Sequence, residues 1–261
     1  MANPIGVIGG SGLYELLDNP RQEVVSTRWG TPSSAVSVGS LGGRDVAFLT
    51  RHGKDHAVPP HLINYRANLA ALHELGVTTL VTSSAVGSLR ADYLPGEFVL
   101  TDQFVDRTWG RPDTFFEGPE VVHVSVADPY CAELRQAAST ALEQLGERFH
   151  PTGTTVVIQG PRFSTRAESR WFQQMGWDVL SMTQHPETTL ARELAMCVVN
   201  LSFISDLDAG VEGLQDQPVT AGMVWRRMKE AQPRIHAALA AIVAAAPDRP
   251  DCPCRSVLGD V

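Results

Sequence analysis

The sequence lacks an excess of positive charge and a long apolar run. Its 261 residues carry 21 basic and 29 acidic side chains, a formal net charge of −8, which argues against generic binding to nucleic acid or to acidic membrane surfaces. No apolar stretch reaches the ~18 residues of a membrane-spanning helix, and the short first apolar run does not resemble a secretory signal. We therefore expect a cytoplasmic protein that would hold an anionic ligand with a local cluster of donors.

Cysteine is scarce, with four residues in the chain. Cys131 and Cys197 lie in semi-apolar, helix-like segments, a pattern typical of buried or interface thiols. Cys252 and Cys254 flank Pro253 in a proline-rich tail. A redox-active or metal-binding pair is one interpretation, but two cysteines alone cannot close a zinc site. The sequence therefore favours a loose tail with exposed thiols, and no metal is predicted.

The chain also lacks Gly/Ser-rich linkers and internal repeats, so we predict one domain over residues 1–246 and a Pro- and Cys-containing tail over 247–261. Runs rich in Val, Ile, Leu and Thr predict strands at Ile5–Ile8, Ala35–Val38, Asp45–Leu49, Thr79–Ser83, Glu97–Thr101, Thr154–Ile158, Val179–Met182 and Val198–Ile204. Helical periodicity covers His61–Leu75, Pro129–Leu145, Thr165–Met175, Pro186–Cys197 and Val219–Ala246, with Pro233 expected to kink or split the last helix. This alternation predicts an α/β fold with a mixed central β-sheet flanked by helices.

A glycine-rich turn follows the first predicted strand. Gly9-Gly10-Ser11-Gly12 offers backbone N–H groups that can approach an anion closely, and the Ser11 hydroxyl adds one more donor. The dinucleotide fingerprint G-x-G-x-x-G does not fit, because its third glycine position is Glu15, whose carboxylate would repel a pyrophosphate. The turn therefore indicates a phosphate cradle, with a turn that binds nothing as the alternative.

Polar clusters recur where predicted strands end. Ligands of α/β sheets gather at the carboxyl ends of the strands. Five strand ends supply such residues here: Ser11, Arg51-His52, Ser83-Ser84-Ala85, Met182-Thr183, and Asp206 with Asp208. Packing alone does not predict hydroxyls, an Arg-His pair and two carboxylates at one edge of a sheet, so we expect a binding site there.

Taken together, the motifs resemble a known family. The matching runs are Gly9–Gly12, Arg51–Gly53 with Asn64–Asn68, Ala85–Leu89, Asp102–Thr108, Gly160–Glu168, Met182-Thr183 with Pro186-Glu187, and Asp206–Asp208. Each run is weak evidence alone, but their order and spacing are similar to those of the S-methyl-5′-thioadenosine phosphorylases, within the trimeric purine nucleoside phosphorylases. The resemblance extends from Ile5 to Ala246 and implies the purine nucleoside phosphorylase-like fold.

The resemblance implies phosphorolysis, in which inorganic phosphate attacks C1′ of a purine nucleoside and the base leaves. It assigns phosphate binding to Ser11, Arg51, His52, Ser84, Ala85 and Thr183. The planar fork of an arginine suits phosphate oxygens. No cofactor and no metal is implied, since inorganic phosphate is a co-substrate.

The resemblance also assigns the nucleoside-binding positions. Asp206 matches the catalytic position at N7 of the leaving adenine, and Asp208 the position at its 6-amino group. A carboxyl in a closed apolar pocket favours its neutral form, which can donate a proton. The other predicted substrate-binding residues are Phe163, Met182, His123, Ala221, Val224 and Trp225. The family relation further implies a homotrimer or a dimer of trimers, in which His123 reaches a neighbour's site.

The resemblance favours 5′-deoxy-5′-substituted adenosines, with S-methyl-5′-thioadenosine first and a 5′-halo analogue as an alternative. A 6-oxopurine nucleoside, methylthioinosine or inosine, is a second alternative, although both carboxylates would then face the lone pairs of O6. A nucleosidase that uses water would not need the anion donors. A non-catalytic purine-binding protein would not need Ser11, Arg51, Thr183 and Asp206 together. Neither a nucleic acid nor a membrane is expected as a partner.

Overall fold

The apolar runs of the sequence become the buried strands of one sheet. A computed structural model describes residues 3–10, 13, 16–119, 121–211, 218–248 and 252–258. In these residues the strands are β1 (Ile5–Gly9), β2 (Arg21–Glu23), β3 (Val36–Leu41), β4 (Arg44–Thr50), β5 (Thr79–Ser88), β6 (Phe98–Leu100), β7 (Gln103–Arg107), β8 (Phe149–His150), β9 (Thr154–Ile158), β10 (Val179–Ser181) and β11 (Cys197–Leu207).

The sheet is mixed, as predicted. Its main path runs β2-β3-β4-β1-β5-β10-β9-β7, and β11 pairs with both β5 and β6. The pairs β1–β4, β1–β5 and β5–β11 are parallel, whereas β10 runs antiparallel to β5. The carboxyl ends of the parallel strands therefore lie at one edge of the sheet, where the polar clusters of the sequence meet.

Five helices flank the sheet in the described part of the chain: α1 (Tyr65–Glu74), α2 (Ala132–Gln144), α3 (Arg166–Gln174), α4 (Gln184–Glu193) and α5 (Ala221–Ala245). The Thr165 hydroxyl accepts from the Glu168 N–H and the Glu168 carboxylate accepts from the Thr165 N–H, so the predicted capping box at the start of α3 is confirmed. Regular helical geometry in α4 begins at Pro186, because His185 before it is extended. The helix α5 continues through Pro233 and is not split. Short 3₁₀ turns occupy Lys54–His56, Pro60–Leu62 and Pro253–Ser256.

Both faces of the sheet are buried. Adjacent residues of β1 belong to different clusters: Val7 packs with α2 and α5, and Ile8 packs with α1 and α4. This alternation is the period-2 pattern of a strand whose two faces are both covered. The α/β architecture with helices on either side of a mixed sheet is thereby confirmed. Within the described residues, no helix has the length and apolar character needed to cross a bilayer.

The two central strands are longer than the sequence predicted. The strand β5 continues past Ser83 to Ser88, and β11 continues past Ile204 to Leu207. Ser84, Ala85 and Asp206 therefore lie inside strands and not after them. Pairing between the two strands extends both elements, because residues with weak intrinsic strand preference are held by the neighbouring ladder.

The prediction of a loose tail with exposed thiols is wrong for the described part of the tail. Cys254 is 4% exposed and packs in the same core cluster as Cys131 and Cys197. Arg44 anchors the chain after α5, donating to the Ala246 carbonyl at 2.8 Å and to the Asp248 carboxylate at 2.5 Å. Tertiary contacts, which the proline content does not reveal, hold this segment in place.

Candidate active site

A cavity of about 290 Å³ opens at the edge where the polar clusters meet. Its walls are formed by Gly10 after β1, residues 51, 52 and 56 after β4, residues 84–87 of β5, residues 180–183 at the end of β10, residues 205 and 206 of β11, and residue 208 just after β11. Pro60, Pro161, Phe163 and three residues of α5, Ala221, Val224 and Trp225, complete the lining. Ser11 lies outside the described residues. The structure therefore brings together the predicted residues that it describes, with His123 as the exception.

Arg51 lies in a buried ion pair on one side of the cavity. Its Nε and Nη2 donate to the two carboxylate oxygens of Glu187 at 2.7 Å each, and Nη1 donates to the Ser83 carbonyl at 2.8 Å. Burial lowers the pKa of Arg51, but the charge and hydrogen bonds of Glu187 outweigh it and raise the pKa above its ordinary value. A guanidinium has five N–H donors, so one N–H on each terminal nitrogen remains for a ligand in the cavity.

Glycine makes room for this guanidinium. A Cβ at Gly10 would lie 2.8 Å from the Ser83 carbonyl oxygen and 2.9 Å from Arg51 Nη1. The turn after β1 can therefore pass directly over Arg51 only because this position has no side chain.

His52 is neutral over the physiological pH range. Burial, the neighbouring His56 and the charge of Arg51 lower its pKa to about 3. Its Nδ1 lies 2.9 Å from the Val58 carbonyl oxygen. Because a carbonyl oxygen only accepts, Nδ1 carries the proton and Nε2 is an acceptor. His52 can therefore accept a hydrogen bond from a protonated oxygen of a ligand, but it cannot donate one through Nε2.

Two hydroxyls face the same region. The Ser84 hydroxyl accepts from the Asn200 amide at 3.2 Å, so its own proton is free to be donated into the cavity. Thr183 precedes α4, but its side chain makes no capping hydrogen bond with that helix. With Arg51, these hydroxyls form a set of donors suited to an anion.

The cavity is also lined by a buried carboxyl, Asp206. A β-bulge between Ile204 and Asp206 shifts the register against β5, so that Asp206 stands opposite Gly87. Bulges re-aim side chains in this way. Burial is the main cause that raises the pKa of Asp206 to about 6, and the nearby Asp208 carboxylate raises this pKa further. A hydrogen bond from Ser205 (Oγ to Oδ1, 2.6 Å) and the charge of Arg227 act in the opposite direction and lower it. Asp206 can thus carry a proton close to neutral pH.

Asp208 is held beside Asp206. The Ser164 hydroxyl lies 2.7 and 2.6 Å from its two carboxylate oxygens and donates to that group. The backbone N–H of Asp208 donates to the Ser88 carbonyl at 2.8 Å. A Cβ at Gly87 would lie 3.1 Å from Asp206 Oδ2, so this glycine keeps space beside the carboxylates for a flat ligand.

Two apolar side chains also line the cavity. Phe163 and Met182 are half-buried and line the cavity. Gly160, at a φ of 60°, faces Met182 so closely that a Cβ there would lie 2.6 Å from the Met182 sulfur. The position of Met182 is therefore held by the turn that precedes α3.

The first turns of α5 close one end of the cavity. Ala221, Val224 and Trp225 line it, so Trp225 faces the site rather than the core. The Trp225 ring, 36% exposed, meets the His56 ring edge-on with centroids 4.9 Å apart. The predicted pocket on this helix is therefore present, with His56 as an additional wall.

His123 is exposed and is absent from the cavity wall of this chain. Sequence reasoning also missed several residues of the site: Glu187, His56, Ser205 and Arg227. The Pro186-Glu187 pair was visible as a motif, but a carboxylate in the first turn of a helix is ordinarily explained by its favourable interaction with the helix dipole. Arg227 donates to the Ser205 carbonyl at 2.5 Å, and no local pattern connects these two positions.

Comparisons with known proteins agree with this geometry. A sequence model of the Phosphorylase superfamily matches residues 4–244. The chain is 50% identical to S-methyl-5′-thioadenosine phosphorylase of Thermofilum pendens, over 98% of this chain and 97% of that protein. It is 48% identical to purine nucleoside phosphorylase of Streptomyces coelicolor, over 98% and 94% of the two chains. The structure of methylthioadenosine phosphorylase from Schistosoma mansoni in complex with adenine matches with a TM-score of 0.88 at 34% identity, covering 92% of this chain and 91% of that one.

Proposed function

The chain belongs to the phosphorylase superfamily, and from that premise we propose that it cleaves S-methyl-5′-thioadenosine with inorganic phosphate. The products are adenine and 5-methylthioribose 1-phosphate. It is a pentosyltransferase of the nucleoside phosphorylase kind, a class supported by the relatives from Thermofilum pendens and Schistosoma mansoni. The observation that carries the proposal is one cavity whose lining combines a set of anion donors with two buried carboxyls.

Phosphate is the nucleophile in this reaction. Arg51, Ser84 and Thr183 offer donors to its oxygens, and the neutral His52 accepts from the remaining P–OH of a monohydrogen phosphate. We assign Ser11 and the backbone N–H of Ala85 to the same oxygens, as in the sequence prediction. Because Glu187 already balances the charge of Arg51, the site holds the dianion mainly through oriented hydrogen bonds. Placing one oxygen under C1′ supplies most of the catalysis, since positioning removes the entropy cost of a bimolecular encounter.

Bond breaking leaves positive charge on the sugar and an electron pair on the base. As the phosphate oxygen approaches C1′, the C1′–N9 bond breaks and its electron pair passes into the purine ring. The proton on Asp206 goes to N7, which yields neutral adenine, and solvent returns a proton to Asp206 after release. Met182 covers the sugar, and the phosphate dianion stabilises the cationic ribosyl group in the transition state. No proton donor other than Asp206 is needed for this balance.

Adenine fits the carboxyl end better than a 6-oxopurine does. Asp208 accepts from Ser164, and its remaining lone pairs can accept from a 6-amino group. The O6 atom of hypoxanthine would instead face these lone pairs without a donor. Because the Streptomyces coelicolor relative is a purine nucleoside phosphorylase, inosine is the second candidate substrate to be assayed. Phe163 packs against the base in either case.

Other properties of the reaction follow the sequence prediction. We propose that it needs no cofactor besides phosphate, that the enzyme acts in the cytoplasm, and that it forms a homotrimer or a dimer of trimers. The exposed position of His123 supports a role at a neighbour's site rather than at its own. The domain over 1–246 would carry the whole cavity, since every lining residue lies within it.

Measuring adenine release with and without phosphate tests the proposal. We expect wild-type enzyme to release adenine from S-methyl-5′-thioadenosine only with phosphate, and to form the sugar 1-phosphate in equal amount. Arg51→Ala should lower the rate at limiting phosphate on the order of 10²-fold or more. Arg21→Ala, at a side chain that is 74% exposed, is the matched control and should keep the wild-type rate.

Two results would contradict the proposal. Equal adenine release without phosphate would mean that the enzyme is a nucleosidase. An unchanged rate for Arg51→Ala at limiting phosphate would mean that Arg51 does not bind phosphate. Because the alanine variant leaves Glu187 buried without its partner, the double variant Arg51→Met/Glu187→Met tests the same point in a chain with no unpaired charge.

A further inference from the structure

The four cysteines of the chain meet in one place. Their sulfur atoms, from Cys131, Cys197, Cys252 and Cys254, all lie within 4.8 Å of one another. These are all the cysteines that the sequence contains. Three are buried and Cys252 is half-buried, so the cluster has one side through which an ion can enter.

Rigid elements position the cluster. Cys131 precedes α2 and its N–H donates to the Val198 carbonyl at 2.8 Å, whereas Cys197 begins β11 and its N–H donates to the Thr78 carbonyl at 2.9 Å. Cys252 and Cys254 bracket the start of the 3₁₀ turn Pro253–Ser256. The neighbouring Arg255 donates to the Thr78 hydroxyl at 3.2 Å and ties this turn to the start of the central strands.

The sulfur spacing fits a tetrahedral metal ion. Zinc–sulfur bonds of about 2.3 Å in a tetrahedron place the sulfur atoms roughly 3.8 Å apart. The observed sulfurs are grouped within 4.8 Å, and those of Cys197 and Cys252 are 3.3 Å apart. Four sulfur atoms grouped this closely match the size of a tetrahedral four-thiolate site.

A buried cation beside the cluster supports an anionic occupant. Arg192, at the end of α4, is 6% exposed, and its Nε and Nη1 have no hydrogen-bond partner among the described residues. The charge of Arg192 acts on the Cys254 sulfur of the cluster. A Zn²⁺ ion with four thiolates carries two negative charges, and Arg192 offsets part of that charge.

We propose that these four cysteines bind one zinc ion, which fastens the C-terminal turn to the core. Binding forms four Zn–S bonds and releases four thiol protons to solvent, so no oxidant or reductant is needed. Four protein ligands leave no open position, which is typical of a structural and not a catalytic zinc. Cys197 and Asp206 stand at opposite ends of β11, roughly 30 Å apart at the rise of a strand, so the ion is independent of the proposed reaction.

Metal analysis of the full-length protein, purified under reducing conditions with Zn²⁺ supplied, tests the proposal. We expect one zinc per chain in the wild type, released when a mercurial reagent titrates the four thiols. Cobalt(II) reconstitution should give the thiolate-to-cobalt charge-transfer bands of a tetrahedral site. Cys252→Ser, at the half-buried position, should lose the zinc while circular dichroism and activity stay at the wild-type level. His61→Ala, which removes an exposed histidine, is the control and should keep the zinc.

Each of the other outcomes overturns the proposal. Zinc content that is equal in the wild type and Cys252→Ser would assign the metal to another site. A mass corresponding to two disulfides in metal-free protein, with no zinc uptake after reduction, would make the cluster a disulfide pair. If Cys252→Ser fails to fold, chelation of the wild-type protein gives the same answer: removal of zinc should lower the melting temperature, and added Zn²⁺ should restore it.

Discussion

Replacing Asp206 by Asn should make the protein more stable while it removes most of the activity. The side chain is 5% exposed, and burial raises its pKa from 3.8 to about 6. The folded state therefore carries a group that resists ionisation. An amide of the same shape has no charge to bury and can still accept the hydrogen bond from Ser205.

The sign and size of this stability difference follow from the protons bound by Asp206 in the folded and unfolded states. Below pH 3.8 the carboxyl is protonated in both states, so it imposes no penalty. Between pH 3.8 and about 6 the unfolded chain loses the proton first, so stability falls as pH rises. Above the folded pKa the full penalty remains, about 3 kcal/mol at about 1.4 kcal/mol for each tenfold change in protonation. At pH 5 roughly half of it is present.

Urea unfolding at fixed protein concentration measures this penalty. Relative to wild type, we expect Asp206→Asn to gain up to about 3 kcal/mol at pH 8 and roughly half as much at pH 5. The control Asp45→Asn, at an exposed position of β4, should show the same small change at both pH values. In the same preparation, loss of the general acid should lower kcat for the adenine nucleoside by about 10²- to 10⁴-fold.

The substrate preference completes this prediction. An amide can donate to O6, so the ratio of inosine to adenosine turnover should rise in Asp206→Asn. An equal stability gain at pH 5 and pH 8 would contradict this prediction, because a buried ionisable group would then not be the cause of the gain. If Asp206→Asn kept the wild-type ratio of adenine to hypoxanthine release, Asp206 would not contact the purine base.

Three further variants test the rest of the cavity. Glu187→Gln leaves Arg51 buried without a counter-charge and should lower the free energy of unfolding by about 3–5 kcal/mol. Saturating phosphate should raise the melting temperature of this variant more than that of wild type, and an equal rise in both would contradict the phosphate role of Arg51. Trp225→Leu should increase turnover of butylthio-adenosine relative to the methylthio and halo analogues, because the indole occupies space that a long 5′-group needs; an equal loss on all three would mean a structural role. Gly87→Ala, whose Cβ would lie 3.1 Å from Asp206 Oδ2, should raise KM for the nucleoside while KM for phosphate stays unchanged.

Much of the site could be predicted because its residues follow one rule of α/β sheets. Arg51 and Asp208 come directly after β4 and β11, which pair in parallel with β1 and β5. Thr183 follows β10 after one intervening residue, and β10 runs antiparallel to β5, so its place in the site does not follow from this rule. Parallel strands expose their carboxyl ends at the same edge, so residues distant in the sequence meet there. Strand and helix positions were predictable for the same local reason, since apolar periodicity and caps depend on neighbours along the chain.

Partners of the site residues were not predictable in this way. Arg51 and Glu187 are 136 positions apart, and nothing in the local sequence of either residue specifies the other. The bulge at Ser205 also escaped prediction, because register depends on pairing with β5 and not on the residues of β11 alone. The cysteines are the clearest case: two pairs that looked unrelated in the sequence form a single cluster.

The sequence by itself determined the α/β class, the capping box of α3, the glycine turn and the residue types that supply anion donors and carboxyls. These features depend on local periodicity, on backbone freedom and on the chemistry of single side chains. The tertiary structure alone decided that Arg51 is paired and buried, that burial raises the pKa of Asp206 to about 6, and that the C-terminal turn joins the core. Each of those depends on desolvation and on contacts between distant segments, and both arise only when the packed sheet and its helices exclude water.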